Sequence, residues 1–160
     1  MKILRANAKH KDFITLVKLL DSVLKKKDGD EHSFYAQFNK IDNIKHVVLA
    51  YEKGKVVGCG AIKPLNKETM EVKRMYTAID YRGKGIATAI LSELEQWATE
   101  LSYKKCALET GLKQPDAINL YQKNGYYAIK NYGQYIGISN SKCFEKILLN
   151  NKQQQQQAQQ

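Results

Sequence analysis

Residues 74–88 read Arg74-Met75-Tyr76-Thr77-Ala78-Ile79-Asp80-Tyr81-Arg82-Gly83-Lys84-Gly85-Ile86-Ala87-Thr88. They lead from the end of a predicted strand, through a basic turn, into the most strongly patterned helix of the chain. A helix start presents unpaired backbone N–H groups and the positive end of the helix dipole. Gly83 and Gly85 lack a Cβ, so an anion can approach the backbone closely. With the charges of Arg82 and Lys84, the turn has the chemistry of a diphosphate site.

A tight strand-to-helix turn that uses glycine only for steric reasons would show the same pattern, so both interpretations stay open at this point. The turn has neither the Gly-Lys-Ser/Thr of a Walker loop nor the Gly-x-Gly-x-x-Gly of a dinucleotide-binding fold. The usual nucleotide motifs therefore do not account for it.

Hydrophobic patterning on both sides of this turn predicts a mixed α/β domain with helices on both faces of the sheet. Residues 31–42 are ambiguous and are compatible with a second short helix. In chain order the predicted elements are a strand at 3–5, a helix at 9–26, a hairpin of strands at 47–51 and 56–62, a strand at 70–77, a helix at 86–101, a strand at 105–110, a helix at 115–124, and strands at 126–129 and 144–149.

The composition is that of one soluble domain with a tail. Hydrophobic residues make up 43% of the 160 residues and charged residues 26%, which is enough for a core. Seven of the last eight residues are Gln, so we expect a domain over 1–150 and a disordered tail over 151–160. No secretory signal or membrane span is visible, and the three cysteines suit no disulfide framework. We expect a cytoplasmic protein, with the nucleus left open.

The formal net charge of +10, from 26 Lys and Arg against 16 Asp and Glu, implies an anionic partner. Nucleic acid, an anionic membrane surface and a phosphorylated cofactor would each satisfy it. The positive residues are spread along the chain, and no zinc-finger or RNA-binding aromatic signature appears. His10, His32 and His46 have no metal-ligand spacing, so no metal is expected.

Two motifs resemble those of the GNAT superfamily of acetyl-CoA-dependent N-acetyltransferases. Residues 82–87 fit its Arg/Gln-x-x-Gly-x-Gly/Ala signature at Arg82, Gly85 and Ala87. Residues 119–126 resemble its Leu-Tyr-x-x-x-Gly-Phe/Tyr motif, 71–76 resemble its fourth strand, and the element order is similar over 2–149. The resemblance implies a mixed, mostly antiparallel sheet of six or seven strands that splays between strands 4 and 5.

The resemblance also implies that acetyl-CoA is the cosubstrate and lies in the gap between those strands. Its roughly four negative charges would account for part of the basic surplus without nucleic acid or a membrane. Gln114 and Asn119 would bond CoA through their amides or serve only as a cap and a surface residue. The pantetheine arm would pair with the backbone of Met75, Tyr76 and Thr77, and the pyrophosphate would bind N–H groups of Arg82, Gly83, Lys84, Gly85, Ile86, Ala87 and Thr88.

The reaction that the resemblance implies is direct attack of an amine on the thioester in a ternary complex. Tyr121 occupies the family's tyrosine position and would protonate the thiolate, or else is a core tyrosine. Glu71 begins the predicted fourth strand and Glu109 ends the fifth, both at the gap. Either would serve as the base, directly or through a water, with Glu71 slightly preferred. Otherwise each is a solvated or salt-bridged carboxylate. A cysteine nucleophile is a variant, although free cysteines are usually small buried hydrophobes.

Two loops, 28–39 and 131–141, combine aromatic and hydrogen-bonding residues and are the predicted source of substrate contacts. Glu31, Tyr35 and Tyr135 are the candidates within them. They suit a small polar amine or an amino-acid-like molecule, whereas an open groove would favour a protein N-terminus or lysine. A non-catalytic acyl-CoA sensor or adaptor, and a homodimer, are further interpretations that the sequence leaves open.

Overall fold

The computed structural model describes residues 1–28 and 44–149. The predicted short helix at 31–42 and the predicted tail at 151–160 lie outside these residues. Of the helices that are described, none has the length and apolar character needed to cross a membrane.

The described residues form seven strands and three α-helices in the predicted order. The last strand begins three residues earlier than predicted, because Ser141, Lys142 and Cys143 pair with Gly111, Thr110 and Glu109. The elements are β1 (Lys2–Ala6), α1 (Lys11–Asp28), β2 (His46–Glu52), β3 (Lys55–Pro64), β4 (Thr69–Thr77), α2 (Ile86–Glu100), β5 (Lys105–Gly111), α3 (Pro115–Lys123), β6 (Tyr127–Ile129) and β7 (Ser141–Ile147).

The strands form one sheet in the order β1-β2-β3-β4-β5-β7-β6. β4 and β5 run parallel, and the other neighbouring strands run antiparallel. This confirms the predicted mixed, mostly antiparallel sheet.

Side chains alternate between two cores, one on each face of the sheet. On β2, Val47 and Leu49 pack in the core that contains Phe13, Leu16 and Val17 of α1. Val48 and Ala50 point the other way, into the core that contains Ile86, Ile90 and Leu94 of α2. Helices therefore cover both faces, as predicted.

β4 and β5 pair over only three residues before they separate. The pairs are Thr69 with Lys105, Met70 with Cys106 and Glu71 with Ala107. Beyond Glu71, β4 continues to Thr77 while it pairs only with β3. The predicted splay between strands 4 and 5 is confirmed.

A β-bulge interrupts β4 just past this point. Arg74 and Met75 together lie opposite Gly60, and Arg74 has a left-handed backbone with φ +60°. Few residues other than glycine adopt this conformation, and a bulge bends and twists its strand. The buried Arg74 guanidinium donates a hydrogen bond of 2.7 Å to Asp21 of α1. The bulge thus turns β4 away from β5, while the ion pair between buried Arg74 and partly exposed Asp21 ties it to α1.

We predict that Gly60→Ala destabilises the domain by about 1–3 kcal/mol, because overpacking in a filled core costs this much. A Cβ at Gly60 would lie 2.8 Å from Ile90 Cγ2 and 2.5 Å from Met75 Sδ. Urea unfolding measures the change. Gly111→Ala is the control, since its Cβ would meet nothing closer than Gln114 Nε2 at 3.5 Å. Equal stability of the two variants would contradict the close packing of α2 on β3.

Candidate active site

A groove of about 470 Å³ runs along the part of β4 that has separated from β5, to the start of α2. At its inner end it meets a smaller pocket of about 120 Å³. Six residues line both spaces, so they form one continuous cleft that begins where β4 and β5 separate. The shared residues are Leu20, Leu24, Met75, Gln114, Ala117 and Tyr121.

The glycine turn is open towards the groove. Gly83 and Gly85 have φ values of +77° and +83°, in the left-handed region that favours glycine. A Cβ added to either would meet no atom within 4 Å, so the space above this backbone is empty. Gly85 is the N-cap of α2, and Ile86, Ala87 and Thr88 of its first turn line the groove. The N–H groups of a first helical turn have no partner within the helix.

The two basic residues of the turn differ in their placement. Arg82 lines the groove, and its Nε donates a hydrogen bond of 2.9 Å to the Thr77 carbonyl, which fastens the turn to the end of β4. Its guanidinium also lies 5.7 Å from the centre of the Tyr76 ring. Lys84 is exposed and outside the groove lining, with its Nζ 5.3 Å from the centre of the Tyr81 ring.

Met75, Tyr76 and Thr77 all line the groove. Tyr76 and Thr77 pair with Cys59 and Gly58 of β3, so only one edge of β4 is occupied. The other edge faces the gap. Backbone N–H and C=O groups at a free strand edge can pair with an extended ligand.

Tyr121 lies where the groove and the inner pocket meet. Its ring packs edge-on against Tyr126, with centroids 5.8 Å apart. Burial, together with the nearby charge of Glu109, raises the pKa of the Tyr121 phenol. The phenol therefore keeps its proton at neutral pH.

The two predicted amide residues are placed differently. Gln114 lines both spaces, whereas Asn119 is exposed and lines neither. A third amide, which sequence reasoning missed, connects the helices. Asn124 Nδ2 donates to Thr88 Oγ1 at 3.3 Å and to the Leu120 carbonyl at 2.8 Å. It holds the end of α3 against the first turn of α2.

The two predicted carboxylates lie together in the inner pocket. Glu71 is only 2% exposed, which rules out the solvated alternative for this residue. It accepts a hydrogen bond of 2.5 Å from the Tyr132 hydroxyl and lies 3.8 Å from Lys73 Nζ. Glu109 is half-buried and accepts a hydrogen bond of 2.6 Å from Ser141 Oγ. Both side chains are thus held in position by hydroxyl donors.

Lys73, Arg74 and Tyr132 are site residues that the sequence reasoning missed. The period of two along a strand places Lys73 on the same face as Glu71, which was the available signal. Burial lowers the pKa of the Lys73 ammonium, and the neighbouring Glu71 partly offsets this effect. Arg74 had no such signal, because the bulge changes the alternation.

Tyr135 is buried and lines the inner pocket, and its role as a substrate contact stays a prediction. Burial, with the charges of Glu109 and Glu71, raises the pKa of its phenol. The other two predicted substrate residues, Glu31 and Tyr35, lie outside the described residues. Of the two predicted substrate loops, the structure therefore describes the 131–141 loop, which contributes Tyr135 to the pocket.

The cysteines are buried thiols. Burial raises the pKa of Cys59 and Cys106 to about 12 and that of Cys143 to about 11. A nucleophilic cysteine needs a thiolate, so these thiols do not suit that chemistry at neutral pH. Within residues 1–28 and 44–149, no group of three or more His, Cys, Asp or Glu side chains could hold a metal ion.

Known proteins share both this sequence pattern and this fold. The acetyltransferase (GNAT) family matches residues 14–126. Escherichia coli YjgM, named an uncharacterized N-acetyltransferase, is 38% identical over 82 residues, which are 49% of this chain and 48% of YjgM. The chain thus spans about half the length of that curated relative.

Solved structures match over most of the chain. A Klebsiella pneumoniae protein, described as a candidate acyl-CoA N-acyltransferase, has a TM-score of 0.77 at 28% identity over 92% of this chain and 97% of its own. An Elizabethkingia anophelis GNAT family acetyltransferase with acetyl-CoA bound has a TM-score of 0.64 at 21% identity, over 92% of this chain and 97% of its own.

The family match extends from α1 to the end of α3 and includes β4, the glycine turn and Tyr121. It covers well over half of the chain, and it contains the strands whose separation creates the cleft. The chain belongs to the GNAT acetyltransferase family.

Proposed function

We propose that this protein transfers an acetyl group from acetyl-CoA to a primary amine of a small or amino-acid-like molecule, by direct attack in a ternary complex. The observation that carries the proposal is the two-part cleft. An outer groove ends on free helix N–H groups, and its inner end opens onto a pocket with two carboxylates.

The outer groove has the size of a ligand site and backbone groups that suit coenzyme A. Its volume of about 470 Å³ lies within the range of roughly 300–1,000 Å³ that is typical of ligand sites. The free edge of β4 suits the amide-containing pantetheine arm, and the first turn of α2 suits the pyrophosphate. The acetyl-CoA bound to the Elizabethkingia protein of the same fold adds support. Acetyl-CoA would thus enter with its thioester at the inner end, beside Tyr121.

The inner pocket fits a compact amine. Its volume is about 120 Å³, and a cavity of about 150 Å³ in another protein accommodates benzene. Glu71 and Glu109 supply carboxylates for an ammonium group, beside the basic Lys73 and Arg74 of the same lining. Tyr135 supplies an aromatic wall. These features favour a small acceptor over a folded protein surface.

The chain's own groups can carry out the proton transfers. Bound acetyl-CoA supplies an activated thioester. Glu71 or Glu109, directly or through a water, would take the proton that the ammonium must lose before nitrogen can attack. A backbone N–H of Met75–Thr77 would donate to the carbonyl oxygen as charge develops there. Tyr121 would donate its proton to the sulfur as the C–S bond breaks and the N–C bond forms.

The base and the acid are linked electrostatically if Glu109 is the base. The Glu109 charge helps to hold the proton on Tyr121. When Glu109 gains the amine's proton, this contribution disappears and the Tyr121 phenol becomes a better donor. The first proton transfer would then prepare the second.

We expect thiol release from acetyl-CoA with a small-molecule amine, and much slower release with a peptide N-terminus or peptide lysine, because the inner pocket is compact. A screen of amino acids, polyamines, aminosugars and peptides with a thiol reagent measures this. Release that is fast only with peptides would contradict the small-molecule assignment. Binding of CoA without release for any acceptor would instead favour a sensor.

We expect Gly85→Val to weaken CoA binding at least 10-fold, because the new side chain would occupy the space over the helix start. Gly54→Val is a matched control, since Gly54 has φ +79° and nothing within 4 Å of its Cβ, but lies outside the groove. Both variants carry the same left-handed strain, of about 1–2 kcal/mol. Calorimetry should show loss of affinity for Gly85→Val only. Equal affinities would mean that the glycines serve the turn alone.

We expect Tyr121→Phe to lower kcat by roughly 100-fold, the usual contribution of a general acid, with CoA affinity within a few-fold of the original. Steady-state kinetics and calorimetry separate the two effects. Tyr126→Phe is the control, because this neighbouring phenol bonds Glu95 at 3.0 Å and lines neither space. An unchanged kcat in Tyr121→Phe would remove Tyr121 from the mechanism.

A further inference from the structure

The lining of the inner pocket carries charges of both signs. Glu71 and Glu109 line it together with Lys73 and Arg74. The Arg74 guanidinium donates a hydrogen bond of 2.7 Å to Asp21 of α1, which fixes its position. The proposed proton transfers use the two carboxylates and give Lys73 no role, although it lies in the same pocket.

Lys73 lies at the point where β4 and β5 separate. The last pair between these strands joins Glu71 to Ala107. Because side chains on one face of a strand recur at every second residue, Lys73 and Glu109 are the next residues on that face of their strands. Both line the inner pocket. The pocket therefore has a cation on its β4 side and an anion on its β5 side.

The Lys73 ammonium is buried beside Glu71. Its side chain is only 8% exposed, and its Nζ lies 3.8 Å from Glu71 Oε1. Burial lowers the pKa of Lys73, and the positive charges of Lys63 and Arg74 lower it further, whereas those of the two glutamates, Glu71 and Glu109, act in the opposite direction. A buried ammonium is costly unless anions compensate it, so a ligand carboxylate placed here would stabilise its charged form.

An amine that carries only positive charge is poorly matched to this lining. Its ammonium would be attracted to Glu71 and Glu109 but repelled by Lys73. A molecule with both an ammonium and a carboxylate could place each group against a charge of opposite sign. The pocket volume of about 120 Å³ keeps both groups of such a small molecule close to the lining.

We infer that the acetyl acceptor is an amino acid, whose free carboxylate is bound by Lys73 while Glu71 and Glu109 face its ammonium. The inference rests on the proposed function and narrows its acceptor class, since polyamines and simple aminosugars lack the carboxylate. An ammonium has three N–H donors, so Lys73 can bind the carboxylate while it stays beside Glu71. Lys73 is then a substrate-binding residue that sets specificity.

Thiol-release kinetics with amino acids and the matching amino acid amides test the inference. Each amide has nearly the shape of its acid but lacks the negative charge. We expect kcat/KM to be about 10- to 100-fold higher for the acid, because the amide loses a hydrogen bond between two charged groups. The ammonium of the amide gives up its proton more readily, so the difference in amine reactivity works against this result.

Lys73→Met removes the ammonium and keeps an unbranched side chain. In this variant the ratio of kcat/KM between acid and amide should fall to within 2-fold. The ratio is the readout, because an effect of the variant on Glu71 changes kcat/KM for both acceptors alike. Lys105→Met is the matched control and should keep the ratio. Lys105 Nζ also lies 3.8 Å from a glutamate, Glu145, but Lys105 lines neither the groove nor the pocket.

Equal kcat/KM for acids and amides in the unaltered protein would overturn the inference and leave the proposed function standing, and this comparison needs no variant. Thiol release with polyamines or aminosugars but not with amino acids would overturn it in the same way. A ratio that is kept in Lys73→Met would also overturn it, because Lys73 would then act only through Glu71. An equal fall of the ratio in Lys105→Met would attribute the preference to net charge and overturn it too. Failure of every amine to release thiol would overturn the proposed function itself.

Discussion

The site depends on how few residues pair across the centre of the sheet. β4 and β5 are parallel neighbours, but only Thr69, Met70 and Glu71 of β4 pair with β5. A longer parallel ladder would satisfy the backbone groups of both strands and leave no gap. The bulge at Arg74 prevents this, since it bends β4 away, and the hydrogen bond from Arg74 to Asp21 holds the bent strand against α1. Backbone geometry thus creates the cleft before any catalytic side chain is considered.

At the point of separation, polar groups are buried and must be paired. Glu71 has Tyr132 and Lys73 beside it, and Glu109 has Ser141, so loop residues and strand residues hold each other. Such networks favour one arrangement of the side chains. They also place two negative charges next to phenols that keep their protons, as the proposed acid–base chemistry requires.

Sequence reasoning found the parts that follow local rules. Apolar residues that recur with a period of two predicted the strands, and those with a period of 3.6 predicted the helices. The glycine turn was identified because a helix start with glycines and basic residues suits an anion. It missed Arg74, because a bulge breaks the alternation that such reasoning uses, and Tyr132, because its partner Glu71 is 61 residues away in sequence. It ranked Lys84 and Asn119 with groove residues, but the structure places both outside the lining. A motif fixes the backbone course more closely than the direction of each side chain.

The short parallel pairing between β4 and β5 has a mechanical consequence. It divides the sheet into a block of β1–β4 and a block of β5–β7, joined at the centre by three residue pairs. A molecule bound across the cleft between β4 and β5 contacts both blocks and connects them. A ligand that binds only the folded sheet raises its free energy of unfolding by RT ln(1 + [L]/Kd), where [L] is the free ligand concentration. In this architecture the bound cosubstrate would stabilise the sheet between β4 and β5 as well as react.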